Sequence, residues 1–274
     1  MCQICLGEWT VHTTKIVCFN CPLLTEIPPT LVGLTYLYCS NCPLLTTIPS
    51  SLVQLRELGC YDCPGLTQIP SSLVNLRYLN CSGCTLLTSI PSLVGLTHLS
   101  VSNCPLFSEI PEGLVGLTHL TCSICPSLIR IPSLVQLTYL SCYNCPLITS
   151  IPEGLVGLTH LNCSECPLIT RIPLGLINLI RLECVSCPYL TQIPQGMVNL
   201  RSINCSKCPY MFLTNEQKNM TGYSEYINKS GIKELEIKVN FLKNFKRDYM
   251  LLFLRLFLHE PLYELCLTFI VNQK

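Results

Sequence analysis

Charge is scarce in this chain. Lys, Arg, Asp and Glu together make up 12% of its 274 residues, and the net charge is +1. A nucleic-acid surface needs a basic face to displace counterions from phosphates, so that class of partner is excluded. Long apolar runs are also missing: no stretch reaches the roughly 18 uninterrupted residues of a membrane helix. The nearest, Met250 to Leu258, is broken by Arg255 and reads as a buried segment. The opening MCQICLGEWT has neither the basic start nor the apolar run of a secretory signal. Gly-rich phosphate loops, a Ser/His/Asp set and paired carboxylates are absent from the pattern, and Glu112, Glu153 and Glu165 are scattered. The expectation is a non-enzymatic chain without cofactor, away from membranes. At 49% hydrophobic residues it can still bury a large core.

What the chain does have is a repeat. One unit runs LTYLYCSNCPLLTTIPSSLVQ from Leu34 to Gln54, and the next LRELGCYDCPGLTQIPSSLVN from Leu55 to Asn75. Further units begin at Leu76, Leu96, Leu117, Leu137, Leu158, Leu179 and Leu200, in steps of 20 or 21 residues, and a poorer first unit begins near Thr13. The template is L-x-x-L-x-C-x-x-C-P-x-L-x-x-I-P-x-x-L-V-x. A unit this short cannot bury its own apolar set, so neighbours must stack and share a core. The alternation at Leu37 and Cys39 has the period of a strand with one buried face. Leu34, Leu37, Cys39, Cys42 and Leu44 are expected to fill the core, joined by Ile48, Leu52 and the Val column. Pro49, Pro70 and their equivalents lack an N–H and fix φ, which favours an extended or short 3-10 return path over a full helix. IPSLVGL (Ile90 to Leu96) and IPSLVQL (Ile131 to Leu137) lose one residue on that path.

The template resembles the leucine-rich repeat family, with its core L-x-x-L-x-L-x-x-N/C-x-L. The likeness covers about residues 13–209. It implies a solenoid with a parallel β-sheet on the concave side and an extended or 3-10 return path on the convex side, and it says little about function. The Ile-Pro half is similar to plant-type and short bacterial-effector repeats. Together with the tail, the Cys-Pro repeat is similar to leucine-rich repeat proteins of giant DNA viruses of amoebae.

Open solenoids need closed ends. Residues 1–12 are expected to cap the first layer. Residues 210–274, where the Cys-Pro motif stops, are expected to form a mostly helical C-terminal cap. Leu242 to Glu260 has helix formers and no internal Gly or Pro, and Ile232 to Val239 alternates like a strand.

Cysteine is abundant, 22 residues, and nine units carry C-x-x-C. The fifth replaces the first cysteine with Val101 and keeps Cys104. A slot that accepts valine is an apolar slot, and the second cysteine falls where the family has Asn or Cys, a hydrogen-bonding position. A structural role in a reducing compartment therefore leads. Disulfides are disfavoured, because the path between paired cysteines is mostly extended and in-register Cβ atoms lie beyond the preferred spacing. Zinc between adjacent pairs remains a reading. So does a four-cysteine site of Cys2, Cys5, Cys18 and Cys21: MCQICL resembles a RING opening, although no Cys-x-His set follows.

The outward positions give the candidate site. The third repeat position reads Tyr36, Glu57, Tyr78, His98, His119, Tyr139, His160 and Arg181. It is flanked by Thr35, Arg56, Arg77, Thr97 and Thr118 on one side and Ser40, Tyr61, Ser82 and Tyr143 on the other. Tyr, His and Arg among small polar groups is the composition of protein-binding surfaces. The plainer reading is that Thr and Tyr suit exposed strands. Tyr36, Arg56, Tyr78, His98, His119, Tyr139, His160 and Arg181 are the expected contact residues. His98 and His119 are not expected to hold a metal, since neither adjacent layer adds a carboxylate or third histidine in that column. The leading expectation is a monomeric, cytoplasmic interaction scaffold for a protein partner, a host factor if the chain is viral. Alternatives are an adaptor of a ubiquitin-ligase system and a zinc or redox protein. Cys266, within ELCLTFI, sits in the apolar context of a buried thiol and not of a nucleophile.

Overall fold

The computed structural model describes residues 4–218. The expected helix at 242–260, the strand at 232–239, Cys2 and Cys266 lie outside them. Ten strands follow one another: β1 (Lys15–Phe19), β2 (Tyr36–Ser40), β3 (Glu57–Gly59), β4 (Tyr78–Asn80), β5 (His98–Ser100), β6 (His119–Thr121), β7 (Tyr139–Ser141), β8 (His160–Asn162), β9 (Arg181–Glu183) and β10 (Ser202–Asn204). They form one sheet whose spatial order is the chain order, and every pairing is parallel. The repeat period sets the register. Leu37, Leu58, Leu79, Leu99, Leu120, Leu140, Leu161 and Leu182 align as one buried column, closed by Ile16 and Ile203. Burying each such side chain stabilises the fold by about 1.5–3 kcal/mol. No layer holds a core apart from its neighbours.

Beyond the sheet the chain returns through single turns. The Leu52 N–H donates to the Pro49 carbonyl (3.3 Å) and the Leu55 N–H to the Leu52 carbonyl (3.0 Å). Among the described residues these i→i+3 bonds never extend into a 3-10 helix, as proline's missing donor leads one to expect. The short repeats absorb their deletion here. In place of the i→i+3 bond, the Leu93 N–H donates to the Pro91 carbonyl and the Leu134 N–H to the Pro132 carbonyl, both at 2.9 Å. Ile90 and Ile131 stay buried, and the sheet register is unbroken.

Three expectations about packing are corrected. Leu44 is 50% exposed, and Leu45 is the core residue. After the corner at the second cysteine the first side chain faces solvent and the second turns in, whether the corner is Cys-Pro, as before Leu106 and Phe107, or Cys-Thr, as before Leu86 and Leu87. The valines of the L-V-x step form a surface column, not a buried one: Val32, Val53, Val74, Val94, Val115, Val135 and Val156 are all exposed. Each sits in the corner between two inward leucines, where the turn directs it away from the core. The path between paired cysteines is also bent. Its second intervening residue is left-handed in all ten layers, with φ between 52° and 59° at Asn20, Asn41, Asp62, Asn103, Ile124, Asn144, Glu165, Ser186 and Lys207, and 74° at Gly83. That kink lets both cysteines of a pair turn inward although only two residues separate them.

Residues 4–12 are turns with no buried side chain, and the Val11 carbonyl lies 3.5 Å from where a Cβ on Gly33 would stand. At the other end, α1 (Asn215–Lys218) is a single helical turn with a reciprocal cap. The Gln217 N–H donates to Thr214 Oγ1 (3.3 Å), and the Thr214 N–H donates to Gln217 Oε1 (3.0 Å). The buried Gln217 amide also donates to the Ile193 carbonyl (3.2 Å), so the turn is fastened to the last full return path. No described helix is long and apolar enough to cross a membrane.

Candidate functional site

The parallel register carries the third-position side chains up the concave sheet, one per layer. From β4 to β8 these are rings in one row, the first pair tilted at 34° and the other three stacked. Tyr78 and His98 have centroids 6.2 Å apart, His98 and His119 4.3 Å, His119 and Tyr139 6.0 Å, and Tyr139 and His160 6.1 Å. His98 and His119 are within 11° of parallel. His119 therefore has a ring on each face. Stacking occupies the faces of the inner rings and leaves their edges to a ligand, so this is a row of hydroxyl and imidazole edges more than a π-platform.

Threonines set the chemistry of those edges. Oγ1 of Thr97, Thr118 and Thr159 each donates to the carbonyl of the preceding layer, at 2.9, 3.0 and 2.9 Å. The same oxygens lie 2.9 Å from Nδ1 of His98, His119 and His160. A hydroxyl has one proton, and the carbonyl takes it. Nδ1 must then be the donor, which assigns the Nδ1–H tautomer and leaves the lone pair on Nε2. Burial, followed by the neighbouring His98 charge, lowers the His119 pKa from its ordinary value.

The sequence-predicted residues divide into groups. Tyr78, His98, His119, Tyr139 and His160 are brought together as the stack. Tyr36 and Arg181 lie in the same register column but outside that stack. Arg56 is exposed one residue before β3, at the stack's N-terminal end. There the Tyr38 hydroxyl donates to Glu57. Desolvation, then this bond, push the Tyr38 pKa up to about 12. The Tyr38 ring lies over Gly59, where a Cβ would come within 2.5 Å of it. Sequence reasoning missed Tyr38 because it passed over the outward position between the second leucine and the first cysteine of each repeat.

A second row lines the stack. Ser82 and Ser100 hydroxyls are 2.8 Å apart, and Ser123 and Ser141 hydroxyls 2.9 Å. Ser82, Ser102 and Ser164 Oγ each accept a backbone N–H from the next layer, that of Ser102, Ser123 and Val185. These serines therefore serve both the surface and the backbone beneath it.

The cysteine column is structural. The Cys63 thiol donates to the Cys39 carbonyl (2.7 Å), Cys84 to Cys60 (3.0 Å), Cys145 to Cys122 (3.0 Å), Cys166 to Cys142 (3.0 Å) and Cys208 to Cys184 (2.9 Å). Cys125 makes the same bond to the Val101 carbonyl at 3.1 Å. The acceptor in this column is the backbone carbonyl of the first-cysteine position, so the bond survives where Val101 replaces that thiol. Burial raises the pKa of Cys81 and Cys122 well above the ordinary thiol value, and pushes Cys104 and Cys145 up to about 11. Buried neutral thiols of this kind are poor nucleophiles. Among the described residues no three His, Cys, Asp or Glu side chains gather to hold a metal ion.

Residues 33–55, 75–96, 95–117 and 136–158 match the family model Leucine Rich Repeat. None of the curated proteins compared matches the chain. Among solved structures, the functional domain of InlJ from Listeria monocytogenes, described as including a cysteine ladder, is 24% identical with a TM-score of 0.45. That match covers 75% of this chain and 56% of that one, so the chain spans little more than half of the domain. The leucine-rich repeat domain of the type III effector XopL is 21% identical, with coverages of 61% and 73% and a TM-score of 0.49. The leucine-rich repeat ectodomain of the receptor kinase GASSHO1/SCHENGEN3 from Arabidopsis thaliana is 23% identical, with coverages of 76% and 34% and a TM-score of 0.48. With four repeats matched by the family model and ten layers built on one template, the chain folds as a leucine-rich repeat solenoid.

Proposed function

We propose that the chain is a non-catalytic scaffold that holds a protein partner on its concave sheet, along Tyr36, Arg56, Tyr78, His98, His119, Tyr139, His160 and Arg181. The observation that carries this reading is the row of five neighbouring rings, four of them stacked. Its side chains already constrain one another, so little side-chain entropy remains to be lost when a partner docks. Their edges offer Tyr hydroxyls, which donate or accept, and Nε2 acceptors, framed by Ser and Thr hydroxyls. Such a surface suits the amide groups and polar side chains of a polypeptide. The stack itself carries no formal charge when its histidines are neutral, which disfavours polyanions as ligands. On this reading the partner is a cytoplasmic protein, a host factor if the chain is viral.

The test is capture of partners from a cell extract by the intact chain and by a Tyr78→Ala/His98→Ala/His119→Ala variant with unchanged circular dichroism. Loss of a specific partner supports the reading. Retention of every partner rejects this face.

A further inference from the structure

We propose that the exposed valine column seats a second copy of this chain in a two-fold pair, in place of the monomer expected from the sequence. The column runs unbroken through nine layers, from Val32 to Val198, with Ile177 in one of them. Eight of these nine side chains are more than half exposed. In every one of those layers the residue two before the column is Thr, Ser or Gly, and the residue after it is Gly, Gln or Asn. No charged side chain enters this strip of three columns. At about 4.8 Å per layer the strip is about 40 Å long. With its flanks it offers roughly the 800 Å² that each partner covers in a stable interface, more than the ~300–600 Å² of the largest apolar patch on an ordinary monomer.

The polar groups beside the valines already have partners. Oγ of Ser51 and Ser72 donates to the carbonyls of Pro29 and Ser50, at 2.7 and 2.6 Å. The amides of Asn75, Asn178 and Asn199 donate to the carbonyls of Val53, Val156 and Ile177, at 2.9, 2.9 and 3.2 Å. Each of these bonds runs to the layer before. A partner can cover the strip without stranding these donors, so the cost of drying it is small.

The spacing selects the occupant. A helix presents its turns at a pitch of about 5.4 Å, and against layers about 4.8 Å apart it falls a whole layer out of step over the nine. An extended strand repeats its side chains every ~6.6–6.8 Å on one face and drifts faster. A second copy repeats at the same interval along the whole strip, so its valines seat between those of the first in every layer. A two-fold pair brings one patch against itself, and an uncharged patch sets no like charges against each other. The strip holds none of the Lys, Arg or Trp side chains that would meet a lipid surface. The column stands on the corner before the sheet, so the pair leaves the concave face open. The inference does not rest on the partner proposed there.

The experiment is sedimentation of the purified full chain under reducing conditions across a range of micromolar concentrations. The expected result is a reversible approach to twice the chain mass of 30.7 kDa. Val94→Lys/Val115→Lys, whose circular dichroism should match the parent because both positions are exposed, raises the dissociation constant about 100-fold or more, as facing like charges do. Val94→Thr/Val115→Thr/Val135→Thr keeps the side-chain shape and weakens the pair about tenfold, so the test stands even if the lysine variant fails to fold. Leu106→Lys, on the separate exposed column after the second cysteine, leaves the pair intact. A parent that stays at the single-chain mass overturns the proposal. So does a folded lysine or threonine variant that pairs as tightly as the parent, or a Leu106→Lys variant that dissociates as readily as Val94→Lys/Val115→Lys.

Discussion

Ile124 holds the same left-handed conformation as Asn103 one layer earlier, with φ of 58° against 56°. Asparagine tolerates that region because its short amide bonds locally, whereas a β-branched side chain clashes with its own backbone. Ile124 is exposed, so no core packing offsets the strain. Ile124→Asn is expected to stabilise the protein by about 1 kcal/mol, the low end of the cost of such strain. Urea unfolding at neutral pH checks it, and a midpoint at or below that of the parent would count against the strain.

The thiol ladder makes a different prediction. In Cys145→Ala the Cys122 carbonyl loses its donor and a small void opens. A loss of about 1–3 kcal/mol is expected. In Cys122→Val the backbone acceptor survives, as it does naturally at Val101, so the loss should be the smaller of the two. Denaturant midpoints for the two variants decide between a hydrogen-bonding column and a merely apolar one.

Stability should also fall in alkali. The folded state raises the pKa of Cys81, Cys104, Cys122, Cys125 and Cys145, chiefly by burial. Folded chains therefore retain protons that unfolded chains release. The contribution is fully present below the unfolded thiol range, near pH 8.5, and is lost as pH rises through the folded values. Unfolding curves at pH 7, 9 and 10.5 should show little change until about pH 8 and a steady decline beyond it.

In the core, Leu120→Ala should cost about 2–5 kcal/mol. Leu120 is fully buried in the middle of the sheet, between Leu99 and Leu140. Because both neighbouring layers share that contact, hydrogen exchange should quicken in β5 and β7 as well as in β6. Quickening confined to β6 would mean that the layers are independent.

The repeat length, the inward leucines and the cysteine slots were legible because stacking in register makes every layer repeat the same inside and outside positions. Leu44 misled because it and Leu45 both follow the Cys42-Pro43 corner, and sequence spacing alone does not say which of two adjacent leucines faces in. The left-handed column was written at Asn20, Asn41, Asp62, Gly83 and Asn103, all residues that favour positive φ, but Ile124 and Glu165 blur it. The Thr214–Gln217 cap has a readable T-x-x-Q signature. The eight contact residues were named from one column and its neighbour. Their stacking and the histidine tautomer were not readable, since both depend on rotamers and on carbonyls one layer away.

The most direct test of the concave face is site-specific photo-crosslinking in cells. A benzophenone amino acid replaces Tyr139 within the stack in one sample, and Val94 in the exposed valine column in the other. Crosslinking of one partner from position 139, and not from position 94, is the predicted result. Crosslinking from position 94 with none from position 139 would contradict the account.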